Sequence, residues 1–168
     1  APLLSVWGGK ITTFRKLAEE AGDGLVQRLA EPRPAWTADA LLPGGDLRPW
    51  IGAPTRPDLD IQRFLSVLGQ RHPELPAAMR QRWARSYGGL LTQLLQGGDL
   101  GAEVVPGLYE AELHYLHRHE WAREADDVLW RRTKLGLHLS PAQRSRVAQW
   151  WTEHHGAPAT AAQEPACS

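Results

Sequence analysis

Ser5-Val6-Trp7-Gly8-Gly9-Lys10-Ile11-Thr12-Thr13-Phe14-Arg15-Lys16-Leu17-Ala18-Glu19-Glu20-Ala21 reads as the end of a buried strand, a Gly-Gly turn and an abrupt helix start. Leu3, Leu4, Val6 and Trp7 make an apolar run of strand length. Gly8-Gly9 reaches backbone angles closed to other residues and lets a ligand approach the main chain. From Ile11 the apolar residues Phe14, Leu17, Ala18, Ala21, Leu25 and Leu29 fall on one helical stripe, with Thr12 or Thr13 as its expected cap. A helix start behind a glycine turn offers free N–H groups and a positive dipole end, which suits an anion, and Lys10 adds a full charge. The same strand–turn–helix pattern also occurs in folds with no ligand, so the pattern alone leaves both readings open.

Downstream, the helix is expected to stop at Glu31-Pro32-Arg33-Pro34, because proline cannot continue it. Residues 35–57, with Pro43-Gly44-Gly45-Asp46, Pro49, Gly52-Ala53-Pro54 and Pro57, read as a linker, inside which Trp36 and Trp50 are expected to pin the loop to a surface. The chain then turns helical. Asp58–Gln70 carries an Ile61, Phe64, Leu65, Leu68 stripe with Asp58 or Asp60 as cap. A second helix opens near Pro76, is kinked at Gly88-Gly89 and closes at Gly97-Gly98. Residues 101–106 read as a connector and Tyr109–Trp121 as a third helix. A fourth passes through Val128, Leu129 and Trp130, and Ser140-Pro141 opens a last one. No strand is expected after Trp7. The fold class is therefore mainly α: a small helical bundle over residues 58–155, with a remnant strand and helix at residues 1–34 and a disordered tail at 156–168.

Composition narrows the function. The chain of 168 residues has 19 basic and 19 acidic side chains, a zero net charge that argues against a nucleic-acid binder. Its one cysteine, Cys167, excludes an internal disulfide framework and a Cys-rich metal site. No apolar run approaches membrane-spanning length, and no signal peptide is expected. An unpaired strand beginning at Ala1 leads to the expectation of a piece of a longer protein.

Candidate chemistry elsewhere is sparse. Glu110, His114 and His117 share a helix face, yet no H-E-x-x-H pattern exists, so the expectation is a solvated polar face and no metal. Asp126-Asp127 point apart on a helix, which favours capping or pairing with Arg131 over acid–base work. Arg131-Arg132-Thr133-Lys134 reads better as a cluster complementing a helix end than as a phosphate site. Ser86, Ser140 and Ser145 lack a nucleophile elbow, and neither G-x-G-x-x-G nor a P-loop occurs. No catalytic residue is assigned.

Val6-Trp7-Gly8-Gly9-Lys10-Ile11-Thr12-Thr13-Phe14-Arg15-Lys16-Leu17-Ala18-Glu19 closely resembles the last cofactor-binding segment of the FAD-dependent, respiratory glycerol-3-phosphate dehydrogenases. The likeness extends through Trp83-Ala84-Arg85-Ser86-Tyr87-Gly88, Leu108 to Tyr115, and Glu120 to Leu137, in family order, and fits the bacterial type. It implies the C-terminal portion of a flavoprotein that oxidises sn-glycerol 3-phosphate to dihydroxyacetone phosphate and passes electrons to quinone. It implies FAD as cofactor, with Gly9, Lys10, Ile11 and Thr12 as cofactor contacts and Lys10 also reaching the substrate phosphate. Implied partners are the FAD and substrate domains of the same polypeptide, with homodimerisation left open. The implied location is cytoplasmic, peripheral to the inner membrane. The dinucleotide fingerprint, most substrate arginines and the catalytic base are absent from this chain, so it is expected to be inactive alone. The alternative is a free-standing helical interaction module.

Overall fold

Apolar spacing of three and four residues dictates most of what is observed. The computed structural model describes residues 3–29 and 33–156. A 3-10 turn, Ile11–Thr13, runs into α1 (Phe14–Leu29); α2 (Arg48–Ile51), α3 (Pro57–Arg71), α4 (Ala77–Tyr87) and α5 (Leu91–Leu94) follow. A hairpin of β1 (Glu103–Val105) and β2 (Leu108–Tyr109) precedes α6 (Glu110–His119), a π-helical segment (Asp127–Arg132), a 3-10 turn (Leu135–Leu137) and α7 (Pro141–His155). The chain divides into two compact units, at Leu42 and Pro43.

In the first unit, Leu3 to Lys10 form no strand, which corrects the expected strand at Leu3–Trp7. A strand needs a neighbour to receive its N–H and C=O groups, and none of the described residues supplies one. Gly22 and Gly24 do not interrupt α1. The expected stop at residues 31–34 and the tail after Gly156 fall largely outside the described residues. Thr37 returns to α1: its hydroxyl donates to Glu19 Oε1 at 2.5 Å, where Arg15 also binds at 2.6 Å. That hydroxyl, then Lys16 and Arg15, holds the Glu19 carboxyl down at about 2.

The second unit holds the core. Phe64 and Leu68 of α3, Trp83 of α4, Leu91 of α5, Leu113 and Leu116 of α6, Val128, and Val147 and Trp151 of α7 are all essentially unexposed. Residues 35–57 are only partly loop. Trp50 and Ile51, on α2, are buried in this core, with Trp50 edge-on to Phe64 at 5.2 Å. Gly88-Gly89 divides the long second helix as its sequence predicts, into α4 and α5. Ser140 caps α7 in a reciprocal box with Gln143. The cap of α3 is Arg56, not Asp58 or Asp60. Asp60 instead lies buried in the first turn and accepts from the Thr55 N–H at 2.8 Å.

The hairpin corrects the connector expected at residues 101–106 and the expectation of no strand beyond Trp7. Two short strands across Pro106-Gly107 fall below the length at which alternation is readable. Tertiary contacts fix them: the Glu110 N–H donates to Ala102 O, the Ala111 N–H to Leu100 O, and β1 packs against α7. The fourth helix is π-wound at Asp127–Arg132. Among the described residues no helix is long and apolar enough to cross a membrane.

Candidate functional site

The turn singled out by the sequence is built from two glycines with positive φ, Gly8 at 77° and Gly9 at 113°. Both angles disfavour any side chain. A Cβ at Gly9 would also stand 2.8 Å from Leu17 Cδ2, so the bare backbone lies directly on α1. Lys10 is extended (φ −103°, ψ 144°) and occupies the cap position, which corrects Thr12 and Thr13 as caps. Its carbonyl accepts from the Thr13 N–H at 3.0 Å and from the Thr13 hydroxyl at 3.1 Å.

No side chain caps this helix start. The four residues Gly9, Lys10, Ile11 and Thr12 therefore stand together on an exposed surface, as a glycine turn, a cation and uncapped helix N–H groups. Nineteen residues of continuous helical backbone, 3 in the 3-10 turn and 16 in α1, lie behind them. That length gives a positive dipole end able to hold an anion or a group gaining negative charge.

The face around the turn is apolar and open. Trp7 is 90% exposed, Ile11 87% and Phe14 61%. Leu3 and Leu4 with Leu25 and Leu29 line a groove of about 560 Å³. No residue of the turn, or of α1, is buried. An amphipathic helix with an uncovered apolar stripe is stable only when that stripe is packed.

The second unit treats its candidate residues as architecture. Asp127 accepts from the Arg123 N–H at 2.8 Å and pairs with Arg131 at 2.8 Å. The Arg123 N–H is the leading influence that holds its carboxyl below the usual range against burial. Arg132 donates to Glu120 O, Lys134 to Trp130 O and the Thr133 hydroxyl to Val128 O, so this cluster satisfies carbonyls. His114 and His117 join a layer that sequence reasoning missed. His155 stacks on His117 at 4.0 Å and His154 on Trp150 at 4.1 Å, while His114 meets Trp150 at 5.2 Å. Adjacent histidines at the end of α7 were the available signal. Among the described residues no group of three or more His, Cys, Asp or Glu is arranged to hold a metal ion.

Residues 35–156 match the family described as the C-terminal domain of alpha-glycerophosphate oxidase. Over 158 residues the chain is 46% identical to a glycerol-3-phosphate dehydrogenase of Pseudomonas aeruginosa, covering 92% of this chain and 29% of that relative. It is 44% identical over 159 residues to the aerobic glycerol-3-phosphate dehydrogenase of Escherichia coli, covering 92% of this chain and 30% of the relative. A D-erythritol 1-phosphate dehydrogenase of Brucella abortus is 37% identical over 155 residues, with 90% and 29% covered. The chain thus spans 29–30% of the length of these curated relatives.

Proposed function

Because the chain belongs to the family of the C-terminal domain of alpha-glycerophosphate oxidase, we propose that it forms the C-terminal part of a flavin-dependent dehydrogenase acting on glycerol 3-phosphate. One observation carries the reading: identities of 46% and 44% to two glycerol-3-phosphate dehydrogenases run over 92% of the chain. The lower identity to an erythritol-phosphate enzyme, 37%, supports glycerol 3-phosphate over that polyol phosphate in this reading.

The turn fits a flavin edge. FAD, when bound, supplies the ring that accepts a hydride from the substrate and passes electrons on to quinone. The chain's own contribution is positional. Gly8 and Gly9 bring bare backbone to the ligand. The uncapped N–H groups at Ile11 and Thr12 would stabilise negative charge on a flavin edge held at this turn. Lys10 adds a cation that serves the same edge or the substrate phosphate. The open apolar face of Trp7, Ile11 and Phe14 supports a covering partner, the FAD and substrate domains of the same polypeptide. Location at the inner-membrane surface follows from this reading through the quinone.

The experiment is complementation. The purified chain is combined with a fragment holding the FAD and substrate domains, and flavin uptake and glycerol 3-phosphate-dependent dye reduction are measured. Activity only on mixing is the expected result, and it weakens when Lys10→Ala is used. Two folded partners that neither associate nor turn over reject the reading. The closed core of residues 43–156 would then stand as a free helical interaction module.

A further inference from the structure

A cleft of about 330 Å³ opens on the second unit between the α5–β1 connection and one face of α6. On one wall stand Gln93, Gln96 and Asp99; on the other stand His114, Arg118 and His119. Ala111, His114, Tyr115, Arg118 and His119 follow each other at three- and four-residue steps, so α6 presents them on a single face. Buried Leu94 and Tyr115 give the floor an apolar base.

The polar groups of this cleft are unequal in their commitments. Asp99 is occupied: its Oδ1 accepts from the Gly101 N–H at 2.9 Å. Tyr115 is occupied as well, its hydroxyl donating to Glu120 at 3.1 Å. The side chains of Gln93, Gln96 and Arg118 make no hydrogen bond or ion pair with any described residue, and the rings of His114 and His119 make aromatic contacts but no hydrogen bond with one. Arg82, Arg131 and Arg80 of this unit are engaged, with Glu112, Asp127 and Leu75 O, so their guanidinium groups are committed in a way that Arg118 is not.

We propose that this cleft is a binding site for a small phosphate monoester. Arg118 supplies the planar fork that fits two phosphate oxygens. The carboxamides of Gln93 and Gln96 on one wall and the imidazoles of His114 and His119 on the other add N–H donors around it. The apolar floor accommodates the short carbon chain of the ester. The proposal stands on the second unit alone and does not depend on the flavin reading.

Inorganic phosphate, methyl phosphate and acetate are titrated separately into the full chain at neutral pH. Sodium chloride balances ionic strength, and the side-chain amide signals of Gln93 and Gln96 are followed by heteronuclear NMR. Both phosphates are expected to give saturable shifts at these two amides, tighter than acetate. Arg118→Gln should weaken them by about tenfold or more, the loss of one charge-assisted interaction. Arg146→Gln, outside the cleft, should leave them unchanged. Arg118 is exposed, so its variant keeps the fold; an unchanged backbone spectrum checks this directly. Linear, unsaturated shifts would overturn the proposal. So would saturation that survives Arg118→Gln, or acetate binding as tightly as phosphate.

Discussion

Glu112 is fully buried, and Arg82, 30 residues earlier, grips it with both guanidinium nitrogens, Nη1 at 2.5 Å from Oε1 and Nη2 at 2.6 Å from Oε2. Tyr87 donates to the same Oε1 at 2.5 Å, and Arg82 Nη2 also reaches Gly107 O at 2.7 Å. One carboxylate thus ties α4, the hairpin turn and α6 together. Removing either charge strands the other in the core, which costs about 3–5 kcal/mol. Arg82→Met and Glu112→Gln should each lower the unfolding free energy obtained from urea denaturation by that amount. The double variant Arg82→Met/Glu112→Leu should recover a large part of it, because an apolar pair leaves no buried charge. Additive losses in the double variant would show that the pair is not coupled.

Gly88 fixes the corner between α4 and α5 for two reasons. Its φ is +52°, and a Cβ there would collide with the Gly44 carbonyl of the loop docked against it. The neighbouring Gly89 N–H donates to that carbonyl at 2.9 Å. Gly98 has a similar φ of +69° but open space around it. Gly98→Ala should therefore cost only the conformational penalty of about 1–2 kcal/mol. Gly88→Ala should cost more, because backbone must move. Thermal unfolding of the two variants separates the effects, and equal losses would show that the Gly44 contact is immaterial.

These two examples mark where sequence reading stops. The kink at Gly88-Gly89 is legible from local propensity, and so are the stripes of α3 and α4 and the cap at Ser140. The Gly44 loop that makes the kink necessary is not, because it arrives from 44 positions away. Arg82 and Glu112 look like ordinary surface charges until the fold brings them together. The hairpin was missed because two and three residues cannot show alternation. The strand at Leu3–Trp7 was misread because an apolar run states burial without stating what pairs with it. At the candidate site the four residues read from the sequence, Gly9 to Thr12, lie together on an exposed surface, but the cap is Lys10 and not Thr12 or Thr13.

Ser140 opens α7 with a complete reciprocal box. Its Oγ accepts from the Gln143 N–H at 3.3 Å, and its own N–H donates to Gln143 Oε1 at 2.8 Å. Ser140→Ala should cost about 1 kcal/mol and Ser140→Gly only a few tenths, since glycine leaves the helix end open to water. Chemical denaturation gives both values. A Gly variant worse than the Ala variant would show that the backbone of Ser140, not its hydroxyl, matters.

The histidine layer between α6 and α7 sets the acid limit of the second unit. Burial, then the charges of His117 and His114, pushes His155 down to about 4, and its Nε2 is buried without a partner. Burial and the Arg118 charge also lower His114. Both groups are more easily protonated in the unfolded chain, so the unfolded state binds more protons between the two pKa values. The stability they support is complete above about pH 6.5, the unfolded value, and falls as pH drops toward 4. The Glu110 carboxylate, bonded to Trp150 Nε1 at 2.9 Å, opposes the effect on His114 and is itself held low. Glu19 and Asp46, both held near 2, keep their contribution above their ordinary values of 4.5 and 3.8 and lose it as pH falls from there toward 2, so they touch only the acid edge of this window. Trp150 and Trp151 lie in the layer and Trp50 and Trp83 in the same core, so tryptophan emission during urea unfolding at successive pH values follows the stability of this unit. His155→Phe keeps an aromatic ring against His117 without a site for the proton. It should flatten the decline between pH 6.5 and 4 while leaving the fall below pH 4 in place. An unchanged pH profile in His155→Phe would move the acid sensitivity to a group outside this layer.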